Sequence, residues 1–194
     1  MAETQMRFSP LATDGLTEAQ RPVVDRLLKA LPNGLGGPFV IMLKSPLMAN
    51  GMIELFEYYR FQSKLDPRLK ELATLIVARE WTAQFEWWAH KPAAVKAGLA
   101  EDVIADLRLG KRPATMKDDE AIVYDFVIAI MRRHEADDAV FDRAMALLGE
   151  EQLVDLITLV GEYLKVSLIL NVGRVGIPEG GTPPLPPLGN EAAR

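Results

Sequence analysis

Cysteine is absent from all 194 residues, so no disulfide, thiolate metal ligand or thiol redox centre can form within this chain. Histidine is scarce, with His90 and His134 the only two, and any metal site would therefore have to be rich in carboxylates. A basic cluster is lacking as well. With 22 Lys and Arg against 27 Asp and Glu the net charge is -5, and a nucleic-acid surface, which needs grouped cations to neutralise phosphates, is excluded. The most apolar stretch, "LVDLITLVGEYLKVSLILNV" at 153–172, carries Asp155, Glu162 and Lys165, which a bilayer centre penalises; it reads as a buried helix and no membrane partner is expected. The opening "MAETQMRFSP" shows neither a basic n-region nor an apolar h-region, so no secretory signal is read there and the cytoplasm is the expected compartment. No segment has the alternation of a strand, and no internal repeat of fixed period is visible.

What remains is helical. A hydrophobic fraction of 49% in a chain of this length suits one globular domain with a sizeable core, placed at residues 1–175. Thr17 with Gln20 three residues on is a capping-box pattern ahead of Val23, Val24, Leu27, Leu28 and Leu31. "PLMANGMIELFEYYRFQ" puts Met48, Met52, Leu55, Phe56 and Tyr59 on one side of a helix that runs through Gly51. With Met42 this stripe lines either an apolar pocket or, as methionine stripes usually do, the core. Asp66 and Pro67 occupy N-cap and first-turn positions for "RLKELATLIVAREWTA", and the helix containing "QFEWWAHKPAAVKAG" follows and ends near Gly98. Four further helical segments are predicted, the last two separated at "LLGEEQ". From Gly176 the composition turns to Pro and Gly, and 176–194 is expected to run extended as a solvated tail or, alternatively, to pack along a neighbouring subunit through Leu185 and Leu188.

The candidate chemistry lies in "QFEWWAH". Residues four apart share a helix face, so Glu86 and His90 can touch while Trp87 and Trp88 point elsewhere. That spacing alone is common on surface helices. The surrounding aromatic and small residues imply partial burial, which suits a Glu–His pair to acid–base chemistry. Glu71 interrupts the apolar "LKELATLIVA" on the preceding helix, so it either snorkels to solvent or is buried with a partner. If the two helices pack antiparallel, that partner can be His90. Arg79 is a second-rank candidate for holding a substrate carboxylate, against its reading as a helix-surface charge beside Glu80. His134, after two arginines near a helix end, reads as complementing the helix dipole.

The run of Glu71, "AREW" and "QFEWWAHKPAAVKAGL" resembles the carboxymuconolactone decarboxylase family, which includes the alkyl hydroperoxidase D proteins; the likeness is strongest over residues 67–99. It implies an all-α, alkyl hydroperoxidase D-like bundle and a homo-oligomer, commonly a trimer or hexamer. In the redox branch of that family an upstream glutamate precedes Cys-x-x-Cys, and a histidine follows four residues after the second cysteine. Glu71 and His90 match the glutamate and the histidine, but the cysteine positions fall on Ala83 and Glu86. Peroxiredoxin-type chemistry is accordingly disfavoured. The decarboxylase branch works without cysteine or cofactor on a carboxylated lactone, and the likeness implies catalytic roles for Glu86, His90 and Glu71. A non-catalytic helical oligomer that binds a small molecule is the competing reading, and no cofactor or resident metal is expected in either.

Overall fold

The first helix opens on the reciprocal pair that its sequence predicts. The Thr17 N–H donates to Gln20 Oε1 at 3.0 Å and the Gln20 N–H to Thr17 Oγ1 at 3.3 Å, ahead of α1 (Arg21–Ala30). In this computed structural model, which describes residues 6–11, 14–31, 34–178 and 181–188, the remaining helices are α2 (Phe39–Met42), α3 (Pro46–Phe61), α4 (Pro67–Glu80), α5 (Gln84–Lys96), α6 (Glu101–Arg108), α7 (Asp118–Arg133) and α8 (Asp138–Gly173). No strand occurs among the described residues. Gly149 interrupts α8 with φ 70 and ψ 174, a conformation that glycine adopts because it has no Cβ, at the point where the sequence separates two helices. Where the composition suggests one domain, backbone contacts gather the chain into two compact units, Met1–Ser63 with Leu168–Gly176 and Lys64–Ser167 with Ile177–Arg194.

In the first unit α1 buries Val23, Val24 and Leu27, and Arg26 on its other side grips Glu57 of α3 through Nε at 2.9 Å and Nη2 at 2.6 Å. Phe39 of α2 meets Phe56 of α3 edge-on, ring centres 5.5 Å apart. The buried face of α3 carries Ala49, Met52, Ile53 and Tyr59, whereas Met48 and Leu55 are exposed. Both faces satisfy a helical period. Which one is covered depends on the helices that pack against it, and spacing cannot say.

The second unit is built around α4, whose residues from Leu72 to Arg79 are all buried. It packs against α5, α6 and α7. Asp66 caps it by accepting the N–H groups of Arg68 at 2.7 Å and Leu69 at 3.4 Å, with Pro67 in the first turn where a missing N–H costs nothing. Residues 81–83 then turn the chain back into α5, with Thr82 at φ 48, a left-handed value that a β-branched residue adopts only under constraint. Arg68 reaches from α4 to Asp119, at 2.5 Å, and to the buried Glu120 at the start of α7, while Glu120 also accepts the Lys117 N–H at 2.9 Å. His134 is the exposed C-cap of α7 at φ 64, at the helix end where its sequence position puts it.

The apolar stretch in α8 is only half buried. Leu153, Leu156 and Leu159 are covered, but Val154 and Ile157 on the opposite face are exposed, as are Leu168 and Val172 further along. Among the described residues no helix is long and apolar enough to cross a membrane.

The C-terminal segment also departs from expectation. Residues 181–188 lie on their own unit, with Leu185 buried: its N–H donates to Gln84 Oε1 and its carbonyl accepts from Gln84 Nε2, both at 2.9 Å. Arg108 Nε donates to the Pro184 carbonyl at 2.5 Å, and Leu188 lies against Gly110. An extended proline-rich chain makes no internal hydrogen bonds, so its carbonyls are open to side-chain donors. That is what ties it down here. Residues 179–180 and 189–194 of the predicted tail lie outside the described residues.

Candidate active site

Glu71 projects from the middle of α4, and Glu86 and His90 share one face of α5 a single turn apart. Because the turn at 81–83 folds α5 back along α4, the imidazole arrives between the two carboxylates. His90 Nδ1 is 2.8 Å from Glu71 Oε2, and Nε2 is 3.1 Å from Glu86 Oε1. Glu86 is buried, with 4% of its side chain exposed, while Glu71 and His90 keep about a fifth of theirs, so the group has one open edge. Trp87 is packed in the core and Trp88 is exposed, so the two tryptophans of the motif part company. One tryptophan is packing, and the Glu–His pair with Glu71 is the candidate site.

Tyr163 of α8 completes the surroundings. Its ring stands edge-on to His90 at 4.9 Å between centres, and its hydroxyl is hydrogen-bonded to the buried Thr74 of α4. Burial pushes the phenol up to about 12; His90 draws it down, and Glu86 and Glu71 push it further up. The imidazole moves the same way for a different reason. Burial works against its charged form, but attraction from Tyr163, Glu71 and Glu86, with the Glu71 hydrogen bond, holds His90 well above the usual imidazole range. A phenol that ionises only near pH 12 is neutral at pH 7, so there the carboxylates do the holding. The charged imidazole is thereby favoured, with Nδ1 hydrogen-bonded to Glu71 and Nε2 within ion-pair distance of Glu86.

Such an arrangement can deliver a proton or stabilise developing negative charge. It is poorly disposed to take a metal ion, because both ring nitrogens already face carboxylate oxygens at hydrogen-bond distance and leave no shared vertex for the three side chains. No group of three or more potential ligands among the described residues converges as a metal site would require.

Arg79 is placed elsewhere. Its guanidinium, 2% exposed, donates to the carbonyls of Arg108 and Pro186 at 3.0 and 2.9 Å and to Thr82 Oγ1 at 3.0 Å. It is neither a surface charge nor free to take a substrate carboxylate: it pins the strained turn before α5 and the proline-rich segment behind it. That role was hidden because its acceptors lie up to 107 residues away. Tyr163 was also missed, although a phenol in the most apolar stretch of the chain is a signal that its hydroxyl needs a partner.

No family model matches the chain, and no curated protein matches it. Among solved structures, it is similar to a protein of unknown function from Agrobacterium tumefaciens that carries the name of the antioxidant defence protein AhpD. The TM-score is 0.61 and the identity 19%, over 78% of this chain and 95% of the other. It is also similar to the debrominase Bmp8, solved as a cysteine-to-alanine variant in complex with 2,3,4-tribromopyrrole, with a TM-score of 0.71 and 15% identity over 91% of this chain and 94% of the other. The fold is thus the all-helical, alkyl hydroperoxidase D-like one that the resemblance of residues 67–99 implies.

Proposed function

We propose that this chain is a cofactor-free acid–base enzyme of the lyase type that acts on a small carboxylated lactone or a related acid. The observation that carries the reading is the imidazole of His90 bridging Glu71 and Glu86. Decarboxylation breaks a carbon–carbon bond and leaves its electron pair delocalised toward the lactone carbonyl, and a proton must then be added to carbon. In this reading the His90 imidazolium stabilises the resulting enolate and Glu86, 3.1 Å from Nε2, carries the proton from the ring to the carbon. Glu71 keeps the ring oriented through Nδ1, and water restores the proton to His90. A neighbour of this fold that holds a small planar ring supports a ring-sized substrate. Thiol-dependent peroxide reduction is outside this reading, since the chain has no cysteine.

A homo-oligomer belongs to the same proposal. The exposed apolar residues Val154 and Ile157 on α8 support it, because a contact between copies would cover them.

The second reading, a binder without turnover, is favoured by one observation: the groove in the second unit is lined by residues from 112 to 143 and contains none of Glu71, Glu86 or His90. A screen of lactones and of hydroxy and keto acids on the purified protein separates the two. Turnover that falls by about 10²- to 10⁴-fold in His90→Ala is expected of an essential acid. Ligand binding without turnover would establish the alternative, and turnover indifferent to His90→Ala would refute the triad as the site of the chemistry.

A further inference from the structure

The groove away from the triad has its own chemistry. It encloses about 440 Å³, within the usual range for small-molecule sites of roughly 300–1,000 Å³. Its apolar lining is Ile128 and Ala129 of α7 and Val140 of α8, and four arginines, Arg112, Arg132, Arg133 and Arg143, surround it.

The charges do not balance. Arg132 is paired with Glu80 through Nε at 2.9 Å and Nη2 at 2.7 Å, and Arg133 with Asp137 at 3.1 Å. Arg112 and Arg143, however, share the single carboxylate of Asp125, at 3.1 and 3.5 Å. Four guanidiniums thus meet three carboxylates, a local excess of positive charge in a chain whose net charge is -5. Arg112 also lies over the Tyr124 ring, 5.6 Å from its centre, which limits where its guanidinium can swing. Both arginines that share Asp125 keep about half of their side chains exposed, and ion pairs so exposed are weak enough to exchange with a competing anion. Guanidinium groups recognise planar oxyanions in a bidentate manner.

We propose that this groove binds a small organic carboxylate, with its oxyanion between Arg112 and Arg143 and its apolar body on Ile128, Ala129 and Val140. Titration calorimetry of the full chain with benzoate, acetate and inorganic phosphate tests it. Benzoate is expected to bind at one saturable site, and both acetate and phosphate at least tenfold more weakly, since neither brings an apolar body. Arg112→Gln/Arg143→Gln should weaken benzoate at least tenfold. Asp125→Asn, which removes the resident competitor, should tighten it severalfold, and His90→Gln should leave it unchanged. No saturable benzoate binding, binding indifferent to the arginine pair, or weaker binding in Asp125→Asn would overturn the proposal. Equal affinity for phosphate and benzoate would overturn the role of the apolar floor. Loss of benzoate binding in His90→Gln would move the site to the triad.

Discussion

Two cations in the second unit each lie between two carboxylates, and both sets depend on α4. Arg68 meets Asp119 and Glu120; His90 meets Glu71 and Glu86. In each set one carboxylate is almost fully buried, Glu120 in the first and Glu86 in the second. The geometry is shared, and the proton is not. A guanidinium keeps its charge at any pH the fold survives, so Arg68 can only fasten α7 to α4. An imidazole, unlike a guanidinium, can give up its proton while the fold survives, so the same electrostatic frame around His90 can support chemistry. What distinguishes a rivet from a site here is the identity of the central residue, and the frame alone would not show it.

The sharpest way to break the comparison is to remove each centre. Arg68→Ala leaves a buried Glu120 and its neighbour Asp119 without their cation, and breaking such a pair costs about 3 kcal/mol or more. His90→Gln retains an amide donor beside the carboxylates and should cost about 1 kcal/mol. Urea unfolding of the two variants checks this, and equal losses would mean that the His90 frame is as structural as the other.

The two sets should also fail at opposite ends of the pH scale. His90 is raised in the folded chain, so its contribution is complete below the unfolded value of 6.5 and is lost as pH rises through the higher folded value. Stability should therefore decline on the alkaline side of 6.5, with a slope of at most about 1.4 kcal/mol per pH unit for one proton. Asp119 is lowered from 3.8, through its hydrogen bond to Arg68 in the main, with burial opposing. Its contribution is present above 3.8 and disappears as pH falls through the lower folded value. Urea midpoints measured across the range should show both declines, and His90→Gln should flatten the alkaline one alone. An alkaline decline that survives in His90→Gln would refute the assignment.

The gentlest perturbation concerns the first turn of α5. Ala83 is its buried N-cap and Glu86 lies three residues on, the spacing at which the resemblance places two cysteines. Ala83→Cys/Glu86→Cys is expected to form an intramolecular disulfide under mild oxidation, read by alkylation and mass spectrometry. Two thiols that stay free would show that these positions are not the thiol pair of the redox relatives.

Several of these features are written locally. The Thr17–Gln20 pair, the Asp66 cap with Pro67 and the break at Gly149 each involve residues within a few positions of one another, and backbone geometry within that span follows from residue type. The Glu86–His90 contact belongs with them, since it requires only that "QFEWWAH" be a helix. Glu71 was reachable for another reason: a lone carboxylate in an apolar segment needs a partner, antiparallel packing of the two helices offered His90, and the likeness of residues 67–99 agreed. The exposed Met48 shows where periodicity stops, because two faces of α3 fit the same spacing.

The sequence by itself thus determined the long helices, the caps at Thr17–Gln20 and Asp66, the exclusion of thiol chemistry and the closeness of Glu86 to His90, while the short α2 went unread. Only the tertiary structure decided that Tyr163 from α8 stands against His90, that Arg79 binds the 181–188 segment in place of a ligand, and that Arg112 and Arg143 share Asp125. Each of these joins residues from separate elements. Partners of that kind are selected by the packing of whole helix faces, which depends on every neighbour at once, whereas a cap or an i,i+4 pair depends on one turn of backbone.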